Sequence, residues 1–221
     1  MAALVILKSF EDDLLPYLAA KAPIITWAPS AELIDRLDSG EKADGIFALD
    51  YTVDELSRRG KINDDSRRSI VESTFGLAVG PESKFTAPQS SEELTELLLS
   101  SRRPAISRSG ASGIYFEQLI DRLSIGDEIR NKALYIPSGL TGLQVRDGQA
   151  DLAVQQISEL KAVNGIKVLG PLPAECQKVT RFDVAIFTNA SNPDSAVTMI
   201  ECLTSSIARH SFTKNGLQCL F

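Results

Sequence analysis

Short apolar segments alternate with longer amphipathic ones along the chain. The apolar segments are rich in Val, Ile, Leu and Phe and are bounded by Gly, Pro, Ser or Asn, a pattern that predicts β-strands. The segments between them have the spacing of helices. Strands are predicted at 4–7, 24–27, 45–49, 75–79, 105–107, 133–136, 152–154, 167–169 and 182–188. This alternation predicts an α/β fold with a mainly parallel sheet and helices on both faces.

The predicted helices carry recognisable start signals. A serine or threonine before an apolar run accepts a hydrogen bond from a backbone N–H of the first turn, and a glutamate three residues later completes a capping box. The expected N-caps are Ser30, Thr52 with Glu55, and Ser90 with Glu93. The segment 192–210 predicts one long helix.

Two apolar segments, 75–83 and 178–190, suit a chain that crosses from one lobe to another and returns. Because no loose linker interrupts the sequence, the lobes must be joined by structured strands. We therefore expect a discontinuous first lobe, 1–79 with 183–221, and a continuous second lobe, 80–182. Ligands of open α/β molecules bind at the carboxyl ends of strands and at helix N-termini, which predicts a ligand cleft between the lobes.

Composition and charge argue against several classes of function. The 221 residues carry a formal net charge of −6 and no Lys/Arg cluster, so we expect no nucleic-acid partner. No apolar run is long enough to span a bilayer, so no direct membrane insertion is expected. The three cysteines lack a metal-ligand spacing, and no Walker, G-x-G-x-x-G or H-E-x-x-H motif is present. We therefore predict neither a metal nor a cofactor, and the single histidine, His210, argues against a Ser/His/Asp triad.

Four strand-to-helix turns carry Ser or Gly where free backbone N–H groups and the helix dipole favour an anion. Each such serine can equally be an ordinary N-cap, and both interpretations stay open. Lys8 and Arg108 each stand beside one of these turns, and a guanidinium pairs with a carboxylate through two parallel hydrogen bonds. The sequence thus favours a carboxylate ligand. The candidate residues at the turns are Ser9, Ser30, Ser109, Gly110, Ala111, Ser112, Ser138 and Thr141.

The segment 148–180 resembles a known family. It contains Gly-Gln-Ala-Asp, then Gln-Gln-Ile-Ser-Glu and Gly-Pro-Leu-Pro, and the likeness extends over 24–188. These motifs are similar to those of the periplasmic molybdate-binding proteins of bacterial ABC importers. The resemblance implies a two-lobed type II periplasmic-binding-protein fold that holds a small anion, and the membrane component of an ABC importer as partner. It also implies that Gln155 and Gln156 join the turn residues in binding the ligand.

A related group leaves an enzyme interpretation open. Aconitate isomerases resemble the same family and move a double bond within a tricarboxylate, a substrate that a positively charged pocket would suit. Such a reaction needs a base, and the candidates are Lys8, with a pKa lowered by Arg108 and by burial, and Tyr115. Lys8 can instead pair with the ligand as an ammonium. A ligand-sensing domain is a third interpretation, for which the sequence offers no helix-turn-helix.

The two main interpretations differ in what they predict. The binding interpretation predicts tight binding without turnover, and the enzyme interpretation predicts isomerisation of an unsaturated polycarboxylate without a cofactor. The first ten residues lack the basic and apolar regions of a signal peptide. We therefore expect a cytoplasmic location for the chain as written, and a periplasmic one if a leader has been removed.

Overall fold

The chain leaves one structural unit within a long strand and returns to it at the start of another strand. The computed structural model describes residues 1–19 and 22–221. Unit 1 comprises Met1–Ser73 and Thr180–Phe221, and unit 2 comprises Thr74–Val179. From the sequence, the chain is predicted to pass from the first lobe to the second at 79/80 and to return at 182/183. The first of these positions is the end of the first strand, and the second lies inside the other strand.

The described helices and strands are as follows in chain order. The helices are α1 (Leu7–Ser9), α2 (Leu15–Leu18), α3 (Ser30–Asp38), α4 (Asp50–Arg58), α5 (Ser91–Ser100), α6 (Ala111–Arg122), α7 (Gly126–Lys132), α8 (Gly142–Arg146), α9 (Ile157–Lys161), α10 (Pro193–Leu203) and α11 (Ser206–Lys214). The strands are β1 (Gly45–Leu49), β2 (Ile62–Val79), β3 (Pro104–Ser107), β4 (Leu134–Ile136), β5 (Leu152–Gln156), β6 (Lys167–Pro171), β7 (Val179–Phe187) and β8 (Gln218–Cys219). Short 3-10 helices lie at Leu4–Ile6 and Ala174–Cys176, and a π-helical turn lies at Phe10–Leu14.

Unit 1 is built on an antiparallel sheet. β1 pairs with β7 from Gly45↔Ile186 to Leu49↔Phe182, β7 lies beside β2, and β8 pairs with β2. The amphipathic helices α3 and α4 bury their apolar faces against this sheet, which is the main source of their stability. The core here comprises Leu33, Ile46, Ala48, Val53, Leu56, Ile62, Ala185 and Phe187.

Unit 2 has a mixed sheet in which β3 lies between β5 and the edge strand β4. β3 pairs in parallel with β4 and β5, and residues 75–79 of β2 run antiparallel to β5 and β6. The core packed on this sheet includes Phe75, Leu77, Leu94, Leu98, Ile106, Phe116, Leu119 and Leu152. Because α6 follows β3 directly and packs on it, the first turn of α6 lies at the carboxyl end of β3.

The predicted α/β class is confirmed, but the predicted mainly parallel arrangement is wrong. Only the pairs that β3 makes are parallel among the strand pairs of the described residues, and the others are antiparallel. Parallel neighbours need a crossover connection, which α6 and α7 provide between β3 and β4. The alternation of strands and helices predicts such connections, but it does not reveal which strands become neighbours.

The first two predicted strands are wrong, whereas the other predicted strands are present. Residues 4–18 form successive helical turns, and Leu4, Val5 and Ile6 are all buried. An apolar run that is buried on every side has no periodicity that could distinguish a strand from a helix. The predicted strand at 24–27 takes part in a single isolated bridge, from Trp27 to Ala2.

The predicted helix starts have mixed outcomes. Ser90 is confirmed as an N-cap, because its side chain accepts a hydrogen bond from the backbone of Glu93. Ser30 is not an N-cap: it is the first residue of α3, and its hydroxyl instead accepts from the backbone N–H of Leu49 at 3.1 Å. Thr52 lies inside α4, which begins two residues earlier at Asp50. Both residues are buried, so the tertiary packing overrides the local capping preference.

The long helix predicted at 192–210 is divided into α10 and α11. The break lies at Ser205, whose side chain caps α11 by accepting from the backbone N–H of Ala208 at 3.1 Å. Serine in a helix interior competes with the helix by bonding nearby backbone groups, which explains the break. In the described part of the chain no helix is both long enough and apolar enough to cross a membrane.

Candidate functional site

The start of α6 in unit 2 has the features of a binding element. Ser107 ends β3, and its buried hydroxyl accepts a hydrogen bond from the backbone N–H of Gly110 at 2.9 Å. No side chain caps the helix, which begins at Ala111. The backbone N–H groups of the first turn are therefore not satisfied by a capping side chain, and the positive end of the helix dipole lies there.

Gly113 lets α6 begin this close to β3. A Cβ atom at this position would lie 1.7 Å from the carbonyl oxygen of Ser107. Only a residue without a side chain fits, and the small residues of Ser-Gly-Ala-Ser-Gly thus serve a close approach of two backbones. The shape of the site depends on this contact.

Two serine hydroxyls lie beside the helix start. Ser109 donates to the carbonyl oxygen of Pro137 at 2.9 Å, which ties the turn after β3 to the turn after β4. Ser112 is buried in the first turn of α6, and its hydroxyl makes no hydrogen bond within residues 1–19 and 22–221. Of the two, Ser112 is the one whose hydroxyl has hydrogen-bonding capacity left for a ligand.

Arg108 adds a positive charge at the same place. Its backbone N–H donates to the carbonyl oxygen of Ile136 at 2.8 Å, so its main chain extends the ladder between β3 and β4. Its side chain is exposed, and the guanidinium carbon lies 5.5 Å from the centroid of the Tyr135 ring. The backbone N–H groups, the Ser112 hydroxyl and the guanidinium can all donate hydrogen bonds, a combination that suits an anion.

The predicted ligand groups Thr141 and Gln155 bind to each other. The side-chain oxygen of Gln155 accepts from the backbone N–H of Thr141 at 2.7 Å and from its hydroxyl at 2.9 Å. The amide nitrogen of Gln155 donates to the carbonyl oxygen of Gly139 at 3.1 Å. Both side chains are buried and shape the turn that carries the exposed Ser138, while Gln156 is buried at the end of β5.

The predicted residues of unit 1 are also engaged within that unit. The ammonium of Lys8 forms an ion pair with Asp12 at 2.9 Å, one helical turn further along the chain. The buried hydroxyl of Ser9 accepts from the side-chain amide of Asn215 at 2.9 Å. With Ser30 bound to the backbone of β1, these contacts hold the framework of unit 1 together, and a role in ligand binding stays a prediction for all three.

Tyr115, the second candidate base, lies in the core of unit 2. Its hydroxyl donates to the carbonyl oxygen of Cys176 at 2.9 Å, and its ring stacks on Phe75 with centroids 5.3 Å apart. Arg122 donates to the same hydroxyl at 3.3 Å. These contacts attach α6 to the segment around Cys176, so the side chain has a structural task whatever else it does.

Glu159 is a titratable group that the sequence analysis did not single out. It is a partly buried residue of α9, and desolvation raises the pKa of its carboxyl to about 8, although hydrogen bonds from the Gln156 backbone and the Gln155 side chain oppose the shift. The signal was present in Gln-Gln-Ile-Ser-Glu, but a glutamate on a short helix is normally solvated. In the described residues, no group of three or more His, Cys, Asp or Glu side chains is placed to hold a metal ion.

Comparisons with known proteins show the family and the fold of the chain. Residues 23–218 match the profile of a family described as bacterial extracellular solute-binding protein. An aconitate isomerase from a Pseudomonas species is 30% identical over 200 residues, which cover 90% of this chain and 76% of the relative. The periplasmic molybdate-binding protein of Azotobacter vinelandii superposes with a TM-score of 0.81 at 17% identity, over 98% of this chain and 96% of that chain. The sulfate-binding protein of Mycobacterium tuberculosis superposes with a TM-score of 0.70 at 12% identity, over 99% and 85%. These two structures share the fold of this chain.

Proposed function

The chain belongs to the family of bacterial extracellular solute-binding proteins, and we propose that it binds a small anion, either a carboxylate or a tetrahedral oxyanion. The observation that carries the proposal is the start of α6, where no side chain caps the helix and Arg108 stands beside it. Because the net charge of the chain is −6, the overall field repels anions and local donors must capture the ligand. In this role the protein delivers its ligand to the membrane component of an ABC importer.

A carboxylate fits the site better than a tetrahedral oxyanion. A tetrahedral oxyanion can be held by hydroxyl and backbone N–H groups alone, in a site that has no charged side chain. An arginine offers a planar pair of donors, and this pair matches the geometry of a carboxylate. The similarity to an aconitate isomerase supports the same class of ligand. Ser112 and the N–H groups of α6 would then bind one carboxylate, and Arg108 would contribute the charge.

A thermal-shift panel on the whole chain tests the proposal. The panel sets molybdate, tungstate, sulfate and phosphate against citrate, cis-aconitate, trans-aconitate and malate. A ligand at about 100 times its Kd stabilises a protein by roughly 2.7 kcal/mol, which for this length corresponds to several degrees. We expect the largest shift with a carboxylate. The absence of a shift with every anion would overturn the proposal, and a shift with molybdate or tungstate alone would restrict it to oxyanion transport.

Replacing Arg108 by glutamine is expected to weaken carboxylate binding about tenfold or more. A hydrogen bond to a charged group contributes ~1.5–3 kcal/mol, and each 1.4 kcal/mol changes the Kd by about tenfold. Isothermal titration with the best carboxylate of the panel measures the effect. Arg103→Gln is the matched control, because this exposed arginine directly precedes the first residue of β3, whereas Arg108 directly follows the last. Equal losses in both variants would show a general charge effect and would count against the site.

The identity of 30% to an aconitate isomerase favours a second candidate function, isomerisation of an unsaturated tricarboxylate. In such a reaction a base removes a proton from a carbon next to a carboxyl group, the double bond shifts, and a proton is returned at the far carbon, so that atoms and charge balance. Lys8 and Tyr115 are the predicted bases. Glu159 is a third group to test, because its raised pKa brings it into the range where a base works near neutral pH.

Proton NMR distinguishes the carrier from the enzyme. The protein is incubated with cis-aconitate in D2O, and the spectrum is followed for trans-aconitate and for loss of signal at exchanging carbons. Conversion at a rate proportional to protein concentration would establish the enzyme. Binding in the panel without conversion or exchange would leave the carrier as the function.

A further inference from the structure

Tyr135 of β4 lies beneath the guanidinium of Arg108. The parallel register of β3 and β4 places Ile106 opposite Tyr135. Arg108 comes directly after the end of β3, two residues after Ile106, and its backbone N–H continues the ladder to Ile136, so its side chain lies on the same side as that of Ile106. The guanidinium carbon is 5.5 Å from the ring centroid, within the distance at which a cation is attracted to the face of an aromatic ring. The ring is therefore a support that favours one orientation of the arginine.

The ring itself is held firmly by two neighbouring helices. The hydroxyl of Tyr135 donates to one oxygen of Glu117 on α6 at 2.6 Å. The other oxygen of Glu117 accepts from Nε of Arg130 on α7 at 2.8 Å, and Arg130 also donates to Asp121 at 2.6 Å. Burial and the hydrogen bond to Glu117 raise the pKa of Tyr135 to about 12, so the side chain stays a neutral phenol over the physiological range.

The charges around the ring leave Arg108 available. Arg130 forms ion pairs with the carboxylates of Glu117 and Asp121, so these two groups are engaged on the α6–α7 side of the ring. Arg108 forms no ion pair with a carboxylate in the part of the chain that the structure describes, and it rests on a ring instead. An arginine that is oriented but not neutralised is prepared for an anionic partner from outside the protein.

We propose that Tyr135 is a specificity-determining positioning residue, which holds Arg108 as a second anion-binding element beside the start of α6. The inference rests on the proposed function and adds the substrate class. A ligand with two or more carboxylates can engage both elements at once, one carboxylate at the first turn of α6 and another at Arg108. A single tetrahedral anion engages only one. The protein thus selects polycarboxylates through the orientation of one arginine.

Titrations with citrate and sulfate test the inference. The measured quantity is the ratio of the two Kd values. A general loss of folding or affinity would weaken the binding of both anions alike and would leave this ratio nearly unchanged. We expect the wild type to prefer citrate, Tyr135→Leu to lose about tenfold of this preference, and Tyr135→Phe, which keeps the ring, to retain most of it. Tyr51→Leu, at an exposed tyrosine of unit 1, is the matched control and should leave the ratio unchanged.

A double-mutant cycle separates positioning from a merely structural effect. If Tyr135 acts through Arg108, the double variant has the same preference for citrate over sulfate as Arg108→Gln alone, because the arginine that Tyr135 positions is already absent. Additive losses, an unchanged ratio in Tyr135→Leu, or a wild type that prefers sulfate would each overturn the inference while anion binding stands. A wild type that binds neither citrate nor sulfate, nor any other anion of the panel, would overturn the proposed function itself. If Tyr135→Leu does not fold, Arg108→Gln still tests the second anion-binding element, because the Arg108 side chain is exposed, and an unchanged citrate-to-sulfate ratio in this variant would overturn the inference.

Discussion

Replacing Gly113 by alanine is expected to destabilise unit 2 by about 3 kcal/mol or more and to abolish anion binding at the start of α6. The new Cβ atom would lie 1.7 Å from the carbonyl oxygen of Ser107 and 2.6 Å from its carbonyl carbon. Both are backbone atoms of β3, so they cannot rotate away as a flexible side chain would. Either α6 must move off the sheet, or β3 must distort.

The measurement is a pair of melting curves and a citrate titration. A loss of this size lowers the Tm by roughly 10 °C in a chain of this length. Gly80→Ala is the matched control in the same unit, since a Cβ atom there would meet no atom within 4 Å, and its effect should stay within about 0.5 kcal/mol. An alanine at Gly113 that melts like the wild type and still binds citrate would contradict the packing described for α6.

The position of the site could be predicted from the sequence more fully than its contacts. The apolar strand at 105–107, the small residues after it and the amphipathic segment that follows together indicate a strand, a tight turn and a helix. The backbone approach that requires Gly113 is a distance between two segments, and a run of small residues indicates that such an approach occurs without showing which glycine makes it. The sequence therefore predicted the strand, the turn and the helix, but not which glycine makes the close approach.

The predicted ligand donors show a second limit. Thr141 and Gln155 are predicted to bind a ligand, and that role stays a prediction, but the two residues also hydrogen-bond to each other in the turn between β4 and α8. A buried polar side chain must find a partner, and the sequence does not tell whether that partner is a ligand or another residue. The same holds for Ser9 and Ser30, whose hydroxyls bind within unit 1.

The support beneath Arg108 could not have been predicted at all. Tyr135 donates a hydrogen bond to Glu117, which lies 18 residues earlier in the chain, and Glu117 accepts another from Arg130, which lies 13 residues after it. None of these separations corresponds to a helical or strand period, because the contacts arise from the packing of α6, α7 and β4. Local patterns thus predict which elements exist, whereas the selectivity of a site depends on contacts that only the assembled fold provides.

Replacing Glu159 by glutamine is expected to remove a pH-dependent loss of stability. Poor solvation raises the pKa of this carboxyl to about 8 from an ordinary value of 4.5. Between these two values the folded chain keeps a proton on Glu159 that the unfolded chain releases. The free energy of unfolding of the wild type therefore falls as the pH rises from about 4.5 through 8, by up to ~1.4 kcal/mol for each unit of the pKa difference.

Glutamine is neutral at every pH and similar in shape, so it lacks this dependence. The variant should match the wild type near pH 5 and exceed it clearly at pH 8.5, where Glu159 must carry its charge in a poorly solvated position. Urea unfolding at a series of pH values measures the difference between the two proteins, and other titrating groups cancel in that difference. Glu82→Gln, at an exposed turn, is the matched control and should track the wild type throughout.

The same titration separates a structural carboxyl from a functional one. If Glu159 serves the reaction or the ligand, the binding of citrate or the turnover of cis-aconitate in the wild type changes near pH 8, and Glu159→Gln removes this change as well as the change in stability. If the carboxyl is only a buried member of α9, the variant flattens the stability curve and leaves the binding curve as it was. A variant whose stability at pH 8.5 equals that of the wild type would show that Glu159 is solvated and ionised at neutral pH, and it would remove this residue from the candidate bases.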